Sequence, residues 1–197
     1  MAFYRPDPAM ASCLETVLDG LDAQGRPGLR NSLSLTWIRY EDNEPEAGQG
    51  WGASWNPDRA VYPASVVKLF YAVAAEQWLQ RDLIPESDEL SRALRDMIGA
   101  SSNDATGLVL DLLTGTTSGP EMHGERWYQW RRQRRLVNEW LASLAWPELE
   151  LVNCCQKTWG DGPYGREKVF YGSDNGNRNA LTTVSYTHLR AHETSQH

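Results

Sequence analysis

A serine and a lysine stand three residues apart at the start of an apolar segment. Residues 62–70 read Tyr-Pro-Ala-Ser-Val-Val-Lys-Leu-Phe, and the apolar pattern continues to Leu79. This pattern predicts a helix, and residues three apart share one helix face, so Lys68 reaches back toward Ser65. A serine hydroxyl needs a base within hydrogen-bond reach to act as a nucleophile. Lys68 qualifies only if its pKa is lowered, and the apolar neighbours favour the burial that lowers it.

A second polar motif lies between two helical patterns. Residues 97–106 read Met-Ile-Gly-Ala-Ser-Ser-Asn-Asp-Ala-Thr. Ser101 offers a second hydroxyl that relays a proton, and Asn103 offers a carboxamide that holds a substrate amide. Serine and asparagine are also common helix N-caps. The two interpretations are compatible, because a cap at the mouth of a cleft also faces a substrate.

The two motifs, in this order, resemble those of the penicillin-recognising serine enzymes, which comprise class A β-lactamases and their D-Ala-D-Ala peptidase relatives. The Pro-Ala-Ser-x-x-Lys of residues 63–68 is similar to the first motif of both groups. Residues 97–106, with the apolar run 108–113 after them, are most similar to the class A pattern. Ser102 departs from that pattern, since class A enzymes usually have aspartate there.

The resemblance implies a role for each matching residue. Ser65 is the acylated nucleophile and Lys68 its general base. Ser101 passes the proton to the leaving nitrogen, and Asn103 binds the side-chain amide of the substrate. The backbone N–H of Ser65 supplies half of an oxyanion hole. The substrate implied is a β-lactam or a related small-molecule amide, and no metal or cofactor is implied. The alternatives are a D-Ala-D-Ala peptidase or esterase of the same superfamily, or a non-catalytic binding module that keeps the fold.

Several features differ from the family pattern. Ser65 and Ser101 are only 36 residues apart, which predicts a reduced wall on one side of the site. No Glu-x-x-x-Asn deacylation motif is present; Glu167 is the best-placed carboxylate, in an irregular Gly-rich stretch, 157–178, that resembles the family's Ω loop. The alternative is that Glu167 is simply solvated.

The third family motif, Lys-Ser/Thr-Gly, is not found. Residues 157–160 read Lys-Thr-Trp-Gly, but they precede the expected position and an extra tryptophan intervenes. Residues 184–197 resemble translated adapter read-through, which is excluded from fold reasoning. We therefore predict a partial hydrolase domain at 1–183 and a non-native tail at 184–197, in which the i, i+4 pair His188 and His192 carries no meaning. Such a chain is expected to be poorly active. The alternative is an authentic, degenerate tail.

The order of elements agrees with this assignment. Residues 9–21 have apolar residues at helical spacing, residues 32–40 alternate as in a strand, and a second strand is predicted near 51–55. The predicted fold is α/β in the α+β sense. It is an antiparallel sheet flanked by helices, with a helical subdomain holding Ser65 and Asn103, of β-lactamase/transpeptidase type and incomplete at its C-terminus.

Charge and composition indicate one globular domain. The 197 residues carry a net charge of −7 with a pI near 5.1, which argues against a general nucleic-acid binder. Residues 126–135 form a basic cluster interleaved with aromatics, a pattern that also binds phosphate backbones. Apolar residues at helical spacing favour instead a core-facing helix with a basic solvent face. They are Trp127, Trp130, Leu136, Val137, Trp140 and Leu141.

The three cysteines give no disulfide framework or zinc site. Cys154 and Cys155 are adjacent and Cys13 is distant, a pattern of free thiols typical of a reducing compartment. Residues 1–10 contain no apolar run, so no signal peptide or membrane span is predicted. The sequence as it stands indicates a cytoplasmic location, whereas the resembled enzymes normally work outside the membrane. A cytoplasmic protein, or a start codon assigned too late, would each explain the difference, so the location is left open. The sequence does not predict an oligomeric state.

Overall fold

The structure, a computed structural model, describes residues 4–41 and 48–187. It is a mixed α and β protein with two compact units. The first unit comprises the described residues up to Val61 together with 182–187, and the second is Tyr62–Leu181. All five candidate site residues belong to the second unit.

The first unit is organised by helix α1, Pro8–Ala23. Asp7 caps it, since its carboxylate accepts the N–H groups of Ala9 at 2.8 Å and Met10 at 3.1 Å. Met10, Leu14 and Leu18 recur every four residues, lie buried, and pack with Ala53 of the sheet. The predicted helix at 9–21 is confirmed. A short helix, α2, follows at Leu29–Ser32.

The sheet has three strands in the order β1-β3-β2. They are β1 at Arg5–Pro6, β2 at Leu35–Arg39 and β3 at Trp51–Trp55. β2 pairs antiparallel with β3, but β1 pairs parallel with it, so the prediction of a purely antiparallel sheet was wrong. A parallel neighbour needs a crossover connection, and α1 is part of the connection here.

The second unit is helical. Its single pair of bridged β residues in the described part joins Asn153 and Ala180. A 3₁₀ turn at Ala64–Val66 leads directly into α3. The helices are α3 at Val67–Gln80, α4 at Asp88–Gly99, α5 at Asn103–Thr114, α6 at Gly124–Arg134, α7 at Leu136–Ser143 and α8 at Gly165–Tyr171, with a second 3₁₀ turn at Pro147–Leu149 between α7 and α8.

The basic, aromatic segment folds as two helices, α6 and α7, that meet at Arg135. Trp130, Val137, Trp140 and Leu141 are buried, as the helical spacing predicts. Trp127 and Leu136 are half-buried. The prediction that the arginines form a solvent face was wrong for Arg134, whose side chain is completely buried. It is buried because it forms ion pairs inside the unit, as described below.

The glycine-rich stretch predicted to be irregular contains α8. Tyr164 precedes this helix in extended conformation, and Gly172 ends it with φ +86°, a value that favours glycine. Glu167 lies in the first turn, where a carboxylate is favoured by the helix dipole.

The cysteines of the described chain are free thiols. Cys154 and Cys155 are fully buried, and burial raises the pKa of the Cys155 thiol to about 12. None of the helices that the structure describes is both long and apolar enough to cross a bilayer.

The segment predicted to be a non-native tail is only partly described. Ser185 is buried, and its N–H donates to Thr182 Oγ1 at 3.0 Å, while Thr182 N–H donates to Ser185 Oγ at 3.1 Å. His188 and His192 lie outside the described residues.

Candidate functional site

Ser65 lies in the 3₁₀ turn immediately before α3 and is exposed. Its neighbour Ala64 has φ +47°, in the left-handed region that residues with a β-carbon rarely adopt. Such conformations cost of order 1–3 kcal/mol and cluster at functional sites. The turn therefore presents the Ser65 side chain at the solvent-accessible start of a buried helix.

Lys68 occupies the first turn of α3 and is only 2% exposed. Its ammonium donates to Ser101 Oγ at 3.0 Å, to Asn103 Oδ1 at 3.0 Å and to the backbone oxygen of Ser101 at 2.5 Å. These three acceptors join the two polar motifs across 33 to 35 residues of sequence. The structure thus brings together Lys68, Ser101 and Asn103.

No carboxylate within the described residues forms an ion pair with Lys68, although a buried ammonium is usually paired. Burial lowers the pKa of Lys68 below the ordinary value of 10.5. Desolvation disfavours the charged form of a lysine, so the neutral amine becomes accessible nearer to neutral pH. This is the property that a lysine needs to act as a base.

Ser101 and Asn103 are held in place by the junction of α4 and α5. Ser101 has φ +52° and ends α4, a position that glycine or asparagine usually occupies. The N-cap of α5 is Ser102, whose hydroxyl accepts the N–H of Ala105 at 3.2 Å. The interpretation of Ser101 or Asn103 as the cap was therefore wrong. Since Ser102 makes the cap, the side chains on either side of it are available to Lys68.

Ser65 is not hydrogen-bonded to Lys68 in this structure, since the three bonds made by the Lys68 ammonium go to Ser101 and Asn103. Catalytic hydrogen bonds are often long before substrate binds and tighten only in the complex. The two residues are nevertheless only three apart in the chain: Ser65 is the middle residue of the 3₁₀ turn and Lys68 is the second residue of α3.

Glu167 lies in a separate ionic cluster. Its carboxylate accepts Arg134 Nη2 at 2.6 Å and the Ser118 hydroxyl at 2.9 Å, and both Arg134 and Glu167 side chains are completely buried. Within the described chain, the hydrogen bonds and ion pairs of the Glu167 carboxylate include neither Ser65 nor Lys68. The alternative that Glu167 is simply solvated was wrong, because Arg134 compensates its charge inside the unit.

Two further residues complete this ionic cluster. Asp111 of α5 accepts Arg134 Nη2 at 3.0 Å and Lys157 Nζ at 2.5 Å, and Lys157 also donates to Ser118 Oγ at 2.9 Å. Lys157 lies 4.0 Å from Glu167. The cluster links α5, which begins with Asn103, to α6, α8 and the loop before α8. Sequence spacing gave no signal for it, since its members are 10 to 56 residues apart in the chain.

The chain matches no protein-family model, no curated protein and no solved structure. The part of the chain that the structure describes has no group of three or more histidine, cysteine, aspartate or glutamate side chains placed to hold a metal ion.

Proposed function

We propose that the chain is a serine hydrolase that acts through an acyl-enzyme on a β-lactam or a related amide, in the manner of the penicillin-recognising serine enzymes. The observation on which this rests is the environment of Lys68. It is a buried lysine without a carboxylate partner, and it lies 3.0 Å from the Ser101 hydroxyl and 3.0 Å from the Asn103 amide oxygen. If Ser-x-x-Lys and Ser-x-Asn occurred in the same sequence only by chance, we would not expect their side chains to be hydrogen-bonded to each other.

The proposed reaction has two stages. In the first, Ser65 Oγ attacks the substrate carbonyl carbon while neutral Lys68 accepts the hydroxyl proton. The bond from the carbonyl carbon to the leaving nitrogen breaks. Ser101 gives its hydroxyl proton to that nitrogen and takes a proton from the Lys68 ammonium, 3.0 Å away. In the second stage, water attacks the acyl carbon, the bond to Ser65 Oγ breaks, the acid is released and Ser65 Oγ regains a proton. Asn103 orients the substrate amide during both stages.

The second stage needs a base that activates the hydrolytic water. The resemblance implies Glu167, but its carboxylate binds Arg134 and Ser118. A D-Ala-D-Ala peptidase or an esterase of the same superfamily uses the same first stage and fits the same three contacts. We also propose that the helices and the sheet form a β-lactamase/transpeptidase-like fold.

A non-catalytic binding module is the second candidate. One observation favours it: the Lys68 ammonium is fully occupied by Ser101 and Asn103, and Ser65 Oγ has no hydrogen bond to it. In that case the site binds amide-containing ligands without forming a covalent bond.

Covalent labelling separates these candidates. We expect a fluorescent penicillin to label the wild-type chain slowly, because no Lys-Ser/Thr-Gly segment was identified, and Ser65→Ala to abolish the labelling. Ser118→Ala is the matched control, since Ser118 is a second serine that contacts a lysine, 2.9 Å from Lys157 Nζ. Equal labelling of wild type and Ser65→Ala, measured by in-gel fluorescence over time, rules the proposal out.

The rate of labelling is also expected to depend on pH. Burial lowers the pKa of Lys68 from 10.5, and the neutral amine is the competent base. The rate should therefore increase with pH and level off below the pKa of an ordinary lysine. Rates measured from about pH 6 to pH 10 test this expectation. A rate independent of pH over that range contradicts a role for Lys68 as the base.

A further inference from the structure

A small cavity of about 190 Å³ lies in the second unit, between the segment before α3, the loop before α8 and the segment that follows α8. Cavities that hold drug-sized ligands are usually larger, roughly 300 Å³ or more, so a ligand of this cavity is small. The acyl transfer proposed above assigns no role to it. Its lining includes Tyr62, Lys157, Trp159, Pro163, Tyr171 and Arg178.

The charges that line this cavity are positive. No aspartate or glutamate is among the described residues of its lining. The Lys157 ammonium is compensated by the Asp111 carboxylate, 2.5 Å away. The Arg178 guanidinium has no such partner, since it forms neither an ion pair nor a hydrogen bond with any described residue. A chain of net charge −7 therefore has an uncompensated cation at this cavity.

Arg178 is exposed, but its contacts define its position. The guanidinium lies over the Tyr62 ring, with its carbon 3.6 Å from the ring centroid. Its backbone is fixed on both sides, because the Arg178 N–H donates to Asn175 O at 3.0 Å and the Arg178 carbonyl accepts Asn153 Nδ2 at 2.8 Å. A guanidinium that rests on an aromatic ring keeps its fork of N–H donors free, and this fork matches the two oxygens of a planar carboxylate.

Aromatic side chains contribute the other contacts that a ligand could use. Trp159 and Tyr171 line the cavity together with Tyr62. The Trp159 ring packs edge to face on Tyr164, with ring centroids 6.4 Å apart at 85°, and this contact favours one orientation of the indole. Aromatic rings pair with other rings in offset or edge-to-face arrangements, so the lining favours a ligand that carries a ring of its own.

We propose that this cavity binds a small aromatic carboxylate. The carboxylate oxygens accept N–H groups of the Arg178 guanidinium, and the ligand ring contacts Trp159 and Tyr171. An aromatic amide of the same shape lacks the charge that Arg178 compensates. An aliphatic carboxylate lacks the ring. Both halves of the ligand are therefore needed, and each can be removed separately in a test.

Binding of benzoate to the full chain tests the proposal without any catalytic readout. We expect saturable binding with a Kd of roughly 1–10 mM, as is usual for so small a ligand. Binding is followed by ¹H–¹⁵N NMR at low ionic strength, with the Trp159 indole N–H among the shifted signals. That signal is assigned by its loss in Trp159→Phe. Benzamide, which is uncharged, and acetate, which has no ring, should not saturate the same signals at the same concentrations.

Arg178→Gln is expected to lower the affinity for benzoate by roughly tenfold. Arg126→Gln removes the same charge from an exposed position of α6 that does not line the cavity, and should bind as wild type does. Tyr62→Leu keeps the charge but removes the ring beneath Arg178, and should weaken binding by roughly threefold, whereas Tyr62→Phe should not. Equal affinity of the wild type and Arg178→Gln overturns the proposal, as does equal binding of benzamide. Unchanged affinity of Tyr62→Leu also contradicts it, because Arg178 would then act only as a surface charge.

The carboxylate site and the acyl transfer succeed or fail separately. Ser65→Ala should lose penicillin labelling and bind benzoate with the wild-type affinity. Loss of benzoate binding in Ser65→Ala contradicts the placement of the carboxylate on Arg178. If the wild type is labelled at Ser65 but does not bind benzoate, only the carboxylate site is wrong.

Discussion

Replacing Lys68 with methionine is expected to slow penicillin labelling of Ser65 by about 10²- to 10⁴-fold, the usual contribution of a general base. Methionine is similar to lysine in length and replaces its apolar methylene stem, but it has no amine that can accept a proton. The measurement is the pseudo-first-order labelling rate at fixed penicillin concentration. A Lys68→Met chain that is labelled at the wild-type rate contradicts the assignment of Lys68 as the base.

Two controls separate a catalytic effect from a structural one. Lys168→Met replaces an exposed lysine of α8 and should leave the labelling rate unchanged. The Lys68→Met chain should also keep its stability, because the substitution replaces a buried ammonium that has no carboxylate partner with an apolar group of similar volume. Urea unfolding of both variants checks that the loss of labelling is not a loss of fold.

Removing one side of the buried ion pair is expected to have the largest effect on stability. Arg134→Met leaves the Glu167 carboxylate completely buried, with Lys157 at 4.0 Å as its nearest cation. Breaking such a pair costs about 3–5 kcal/mol, because an uncompensated charge remains out of water. The free energy of unfolding in urea should fall by that amount, a large fraction of the stability of a small domain.

The double variant Arg134→Met/Glu167→Leu is the matched control for this effect. Replacing both partners by apolar groups is often neutral or stabilising, so the double variant should be more stable than Arg134→Met alone. A fall of less than about 1 kcal/mol for Arg134→Met contradicts a compensating role for the arginine. If these variants also change the labelling rate, we would attribute the change to a shift of α5, because this helix carries both Asp111 of the cluster and Asn103 of the candidate site.

The helices and strands with a clear apolar period were predictable from the sequence. Helix α1 lies where the pattern places it, because its buried residues Met10, Leu14 and Leu18 recur every four residues. The second strand also lies at 51–55 as predicted, although its two buried residues, Gly52 and Ala53, are adjacent. The strand predicted at 32–40 is shorter, Leu35–Arg39, since Ser32 ends helix α2. The parallel pairing of β1 was not predictable, because a two-residue strand has no period to recognise.

The residues of the candidate site were also predictable only in part. The motifs around Ser65 and Ser101 were recognisable because each is compact in sequence, and the structure brings Lys68 within 3.0 Å of both Ser101 and Asn103. The ionic cluster of Arg134 and Glu167 was not recognisable. Arg134 looked like one more residue of a solvated basic face, and only the tertiary packing of α5, α6 and α8 turns it into a buried ion pair.

The roles of single residues between α4 and α5 could not be predicted from the sequence either. Ser102 was noted only as a departure from the family pattern, yet its hydroxyl caps α5. Ser101 has a left-handed conformation that a glycine or an asparagine would usually adopt at the end of a helix. Backbone angles of this kind depend on how two helices meet, and the local sequence does not encode them alone.

The location of the acyl adduct distinguishes Ser65 from every other nucleophile in the chain. The full chain is incubated with a penicillin, digested, and analysed by peptide mass spectrometry. The account predicts one adduct, of the mass of the intact penicillin, on the peptide that contains Ser65, and none in Ser65→Ala. An adduct on Ser118 or elsewhere contradicts the assignment of Ser65 as the nucleophile. The same holds if prolonged incubation at millimolar penicillin yields neither an adduct nor hydrolysed penicillin.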